Sequence, residues 1–284
     1  MNMLNNKYLF LNDSGLKVPM IIRYPNQDNA GTIEDQLISF LDFPPTLLSM
    51  VNIKPPKWMQ GRSFTGKKVT TVKRKYIHAS GDRFDEYYDM IRAVRDKRFK
   101  YLKNFKPDQG YYLPLEYRER MATTQELLRL HKEGKLNDVQ RQWFRTSKPE
   151  EELFDTQIDP HELNNLAANP KYQEKLLELR IECDRWMKAI DDMGFIEEND
   201  LIDQFWPNRI QPKTASPIIK KEGLLTTLSC QTKGAAIGYK FSTDDNPAIG
   251  WQPYTTAIEI PKGKSLKVLA HRIGYLPSDT IYVH

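Results

Sequence analysis

The chain is short of the residues that announce chemistry. Its 284 residues hold only two cysteines, Cys183 and Cys230, which excludes a disulfide-stapled scaffold and leaves the compartment open. None of its five histidines, His78, His131, His161, His271 and His284, is spaced with another His or a Cys as zinc ligands are. There is no glycine-rich phosphate loop and no Gly-x-Ser-x-Gly turn. Apolar runs such as 19–22 and 46–51 fall far short of the roughly 20 residues of a membrane span. Residues 1–7 lack the apolar stretch of an export signal. A net charge of +5 is too small and too dispersed to point to nucleic acid. The densest basic stretch, Lys67-Lys68 and Lys73-Arg74-Lys75, is interleaved with Val69 and Val72 and reads as a solvated strand edge.

What is present is a core. At 39% hydrophobic and 11% aromatic, the chain can bury enough surface to fold, and its length suggests about two domains. Two short apolar runs, 17–23 and 37–41, read as buried strands of an α/β sheet, the first needing neighbours on both sides. Pro44-Pro45 opens a helix over 46–51. From about residue 70 the pattern becomes antiparallel. A strand is expected over 69–79, and 90–95 and 99–104 form a hairpin across Asp96-Lys97-Arg98, its Arg and Lys lining an exposed face. Helices follow from Thr123/Thr124 to Gly134 and over 138–144.

The strongest helix covers 170–190. Asn169 caps it, Pro170 takes the first position, and Tyr172, Leu176, Leu179, Cys183, Trp186 and Ile190 make one apolar stripe. Cys183 is therefore expected as a buried thiol. The acidic residues Asp155, Asp159 and Glu162 lack the spacing of a calcium loop and read as a tight turn. Three prolines mark 205–217 as a linker, and the short strands beyond it read as a small β-sandwich. The most suggestive polar cluster is His78, Asp82 and Arg83, followed by Asp85 and Glu86, at the end of a strand where α/β proteins place ligand contacts.

Several stretches, in order, resemble the C-terminal part of bacterial sulfatases of the arylsulfatase/heparan N-sulfatase type, within the alkaline-phosphatase-like superfamily. They are residues 13–25, 39–49, 59–64, 91–101 and 152–166, followed by the long helix. The tail, with 239–245 and 266–271, resembles the β-sandwich at the C-terminus of chitobiase/β-hexosaminidases. The resemblance implies an α+β protein: a remnant of the α/β sulfatase core over 1–68, then a subdomain of antiparallel sheet and helices over 69–204. The linker, 205–217, and the β-sandwich, 218–284, complete it.

The resemblance further implies hydrolysis of sulfate esters or N-sulfates on sulfated glycans, by a formylglycine nucleophile and a calcium ion. Neither is expected in this chain. No residue fits the family's Cys/Ser-x-Pro/Ala-x-Arg motif, no Asp-His-Gly occurs, and Asp244-Asp245 sits in a tail turn. These residues alone are accordingly expected to be inactive, with no catalytic or metal-binding residue of their own, and to associate with a catalytic segment carried elsewhere. Relatives are usually exported, although no export signal is visible here. The resemblance brings Asp82 and Arg83 near the substrate, with His78 a candidate beside them from the same polar cluster, and makes Lys7 a remnant of the family's active-site lysine. The rival reading is a glycan-binding or accessory module, with Tyr239, Trp251 and Tyr254 stacking on sugars.

Overall fold

A computed structural model describes residues 11–84, 87–241 and 250–283. The chain divides into two compact units, Met1–Gly194 and Phe195–His284. In the first, alternating side chains build a four-stranded antiparallel sheet in sequence order: β1 (Ile77–Phe84), β2 (Tyr87–Arg95), β3 (Phe99–Asn104) and β4 (Glu151–Asp155). The hairpin expected across 96–98 is β2–β3, with Val94 opposite Tyr101. The strand expected over 69–79 starts only at Ile77. Helical elements α1 (Asp13–Leu16) and α2 (Phe43–Met50) precede the sheet, and α3 (Glu116–Glu119), α4 (Ala122–Lys132) and α5 (Asp138–Arg141) lie between β3 and β4.

The long helix is α6 (Gln173–Ala189), entered through a 3-10 turn in which the Asn169 side chain accepts the Lys171 amide N–H. Its stripe packs Leu176, Leu179, Cys183 and Met187 against Val94, Tyr101 and Leu153 of the sheet. Cys183 is fully buried, as its place on the stripe requires, and burial pushes its thiol up to about 12. The opposite face of the sheet buries Ile91, Ala93, Leu102 and Phe154 under Leu11.

Two expectations from the sequence are not met, each for a physical reason. The basic residues of the hairpin do not line an exposed face: Arg92 and Lys100 are both 0% exposed. Carboxylates distant in sequence neutralise them, and those partners are invisible to a local pattern. Nor are 17–23 and 37–41 strands. No described residue pairs with either, and Ile21 is 96% exposed. An apolar run becomes a strand only where a neighbour takes up its N–H and C=O groups.

The second unit begins with α7 (Glu198–Phe205) and forms two sheets. One has the order β5-β6-β9, from Ile218–Glu222, Leu225–Ser229 and Ile258–Glu259. The other has the order β11-β10-β7-β8, from Ile281–Val283, Leu266–His271, Ala236–Phe241 and Gln252–Pro253. Leu228 and Ile258 of the first meet Leu266, Val268 and Val283 of the second in a single core, which makes a small β-sandwich. Tyr239 and Tyr254 pack against this core, whereas Trp251 is 41% exposed. Within the stretch read as a linker, Thr214 is buried and its amide donates to the Leu276 carbonyl, so this part is docked on the sandwich. Asp244 and Asp245 lie outside the described residues.

Leu179, fully buried between α6 and the sheet, sets the cost of disturbing the first core. Leu179→Ala is expected to lower unfolding free energy by about 2–5 kcal/mol in urea titration. Ile181→Ala, on the exposed side of α6, should change it by less than about 0.5 kcal/mol.

Candidate functional site

The sequence cluster lies along β1, and the structure gives its members different tasks. Alternation on a strand turns His78 and Asp82 toward α6 and its C-terminal turn. His78 Nε2 lies 2.8 Å from Glu182 Oε1, and its ring stacks on Trp186 with centroids 4.8 Å apart. Burial lowers the His78 pKa against the opposing pull of Glu182, so the ring is a neutral packing element at pH 7. Asp82 is equally engaged: its two oxygens accept from Arg92 Nη1 at 2.6 Å and Nη2 at 3.1 Å.

Arg92 is the hub of this region. Its Nε and Nη2 donate to Asp192 at 2.6 and 2.8 Å, and Nη1 also donates to the Ile91 carbonyl at 2.9 Å. Five bonds use all five guanidinium N–H groups, which is how a fully buried arginine avoids an unsatisfied donor. Asp192 also accepts the Gly194 amide at 3.0 Å. Burial alone would raise the Asp192 pKa, but the Arg92 and Gly194 hydrogen bonds bring it below its ordinary value. Gly194 must be glycine for want of space, since a Cβ there would stand 2.0 Å from Arg92 Nη2.

Arg83 is placed differently. Its guanidinium carbon lies over the Tyr88 ring, 4.9 Å from the centroid, and Lys106 Nζ lies 4.6 Å from the same centroid. The Tyr88 hydroxyl donates to the Gly194 carbonyl at 2.8 Å, which ties this aromatic to the Arg92 hub. Tyr88 and Lys106 were not legible in the sequence, because a ring shared by two cations follows from strand register and from the turn after β3. Lys7, Asp85 and Glu86 lie outside the described residues.

A second buried ion cluster secures the far face of the sheet. Lys100 Nζ donates to Asp13 and Glu162 at 3.1 Å each, and Arg95 holds Asp13 through Nε and Nη2. Burial raises the Glu162 pKa; for Asp13 the same effect is outweighed by Lys100 and Arg95, which lower it. The other acids of this turn are occupied as well, Asp155 by Arg98 and Asp159 by the amides of Leu163 and Asn164. Among the described residues no group of three His, Cys, Asp or Glu could hold a metal.

Residues 4–145 match the family described as N-sulphoglucosamine sulphohydrolase, C-terminal. The chain belongs to this sulfatase family. An ulvan-active sulfatase of Formosa agariphila is 53% identical over 95% of this chain and 46% of its own length. A second ulvan-active sulfatase from the same organism is 32% identical over 64% of the chain and 35% of its length. Human N-sulphoglucosamine sulphohydrolase is 22% identical over 70% of the chain and 42% of its length. The chain thus spans half or less of the curated relatives it matches. The 273 residues aligned with the first relative necessarily take in most of the β-sandwich. The chitobiase-like resemblance of that tail rests on its sequence alone.

The Arg92 hub makes a prediction with a sign. Arg92→Met strands two carboxylates inside the protein and is expected to cost about 3–5 kcal/mol at pH 7. The wild type keeps the stabilisation from Asp192 above the ordinary carboxylate value of 3.8 and loses it as pH falls through the lower folded value. The variant behaves oppositely, its deficit shrinking toward pH 4 as the orphaned carboxyls protonate. Urea unfolding at pH 7 and pH 4 measures both.

Proposed function

We propose that these residues form the substrate-facing C-terminal part of a sulfatase that acts on a sulfated polysaccharide, with ulvan as its first substrate to test. The observation that carries the reading is the 53% identity to an ulvan-active sulfatase across 95% of the chain. The cations gathered at the end of β1, Arg83 foremost, suit an oxyanion, which a guanidinium receives through paired hydrogen bonds. Asp82 and His78 act behind this surface, Asp82 through the Arg92 hub and His78 by anchoring β1 to α6.

The bond-breaking groups come from elsewhere in this reading. Cys183 is sealed in the core, and the Cys230 thiol donates to the Ala215 carbonyl at 3.2 Å. Neither stands in the family's nucleophile motif. The formylglycine and calcium of the family would therefore belong to a catalytic segment outside these residues. Exposed apolar side chains support such a partner: Val18, Ile21, Phe40, Leu47, Val51 and Trp58 are all exposed within one short part of the chain. The rival glycan-binding module has only Trp251, since Tyr239 and Tyr254 contribute to the core.

Sulfate release from ulvan, followed by ion chromatography, tests the proposal. The 284 residues alone should release none. A chimera that joins them to the portion of the Formosa relative outside the match should release sulfate. Turnover by the 284 residues alone, or a folded chimera inert toward ulvan, would contradict it.

A further inference from the structure

The outer face of one sheet of the β-sandwich carries aromatics where a solvent-facing strand surface is ordinarily polar. Alternation turns Leu266, Val268, Tyr239, Phe241 and Val283 into the core and leaves Lys267, Lys240 and Tyr282 on the opposite side. The register sets these three in one row: Tyr282 of β11 opposes Lys267 of β10, which opposes Lys240 of β7. Continued by one residue, the β7–β8 register brings Trp251 opposite Lys240. The indole lies on this same outer side, for a Cβ at Gly238 would stand 3.5 Å from Trp251 Cε3, and Lys240 Nζ is 5.7 Å from the Trp251 ring centroid. The row across the four strands therefore reads Tyr282, Lys267, Lys240, Trp251. Its two end members are open to solvent, Tyr282 57% and Trp251 41% exposed. Single exposed apolar side chains are ordinary, but two rings aligned on one sheet face are an arrangement with a use.

We infer that this row is a platform for the polysaccharide, with Trp251 and Tyr282 stacking on the faces of two sugars of one chain. The inference rests on the sulfated-polysaccharide reading above and gives the sandwich a share in holding the polymer. Three strand spacings separate β11 from β8, about 14 Å, which is more than one sugar ring spans and within reach of a short oligosaccharide. The C–H face of a sugar ring is apolar while its edge is polar, and Trp and Tyr rings have the matching character. Charge selects the kind of polymer. Lys240 enters no ion pair among the described residues, and its ammonium between the two rings complements a chain that bears sulfate groups. A protein partner fits less well, because two rings parted by two lysines form no continuous apolar patch, and lysine is depleted at the centre of protein interfaces. Gly238 is a positioning residue: a methyl there would touch the indole, and a larger side chain would lift it from the sheet.

Calorimetric titration of the 284-residue chain with ulvan oligosaccharides tests the assignment. Trp251→Ala and Tyr282→Ala should each weaken binding on the order of ten-fold, the worth of one aromatic stacking contact. Trp251→Tyr, which keeps a ring, should retain most of the affinity. Gly238→Val, which leaves every member of the row in place, should weaken binding as Trp251→Ala does. Lys240→Ala should make the affinity less dependent on salt, as the loss of one ionic contact does. Phe205→Ala, which removes an exposed aromatic of α7, is the control, and thermal unfolding of every variant establishes folding. The platform is refuted if Trp251→Ala and Tyr282→Ala bind no more weakly than the control, if Lys240→Ala leaves the salt dependence unaltered, or if the wild-type chain has no affinity for ulvan. The chimera's sulfate release separates the two ideas. An active chimera with indifferent variants refutes the platform alone, and a folded, inactive chimera with sensitive variants refutes the sulfatase reading alone.

Discussion

One buried guanidinium organises the end of the sheet at β1 and β2. Arg92 sits on an inner strand with no exposure, and every one of its N–H groups is spoken for by Asp82, Asp192 and the Ile91 carbonyl. Its two carboxylates come from the edge strand β1 and from the turn that follows α6. The ion set therefore ties together β1, β2 and the turn after α6. A buried ion set of this kind adds little net stability over a packed apolar alternative, but it is costly to leave incomplete, so it specifies geometry. The geometry it specifies is the approach of β1 to Gly194, and Gly194 in turn holds Tyr88 and the cations at its ring.

The other face of the sheet repeats the device with different residues. Lys100, Asp13, Glu162 and Arg95 bind the start of α1 and the turn after β4 to the sheet. Both clusters place cations of the β2–β3 hairpin inside the protein, with acids contributed from 10 to 100 residues away in sequence. The sheet is thus held between α6 on one side and the segment at Leu11 and Asp13 on the other, by apolar contacts at its middle and ion clusters toward its ends.

This pattern explains what the sequence disclosed and what it hid. Helix α6 was legible because its cap, its proline and its stripe lie within one stretch of chain. The β2–β3 hairpin was legible because alternation and turn residues are local as well. The burial of Arg92 and Lys100 was not, since a cation reads as exposed until its distant carboxylates are known. The runs 17–23 and 37–41 were misread because apolar content says nothing about whether a partner strand is present. Hairpin β5–β6, carrying Lys220, Lys221, Thr226 and Thr227, offered too little alternation to be seen. Of the candidate site, Arg83 was legible from the polar cluster at the strand end and from the resemblance, while Tyr88 and Lys106 emerged only from the packing.

Amide hydrogen exchange on Arg92→Lys tests the central claim most directly, that the Arg92 hub fixes the end of β1. Lysine keeps the charge but cannot serve both carboxylates with five fixed donors. Exchange across residues 80–84 should quicken markedly while the amides shared by β3 and β4 keep their protection. Unchanged protection along β1 would contradict the account, because the strand end would then be held by something other than the arginine.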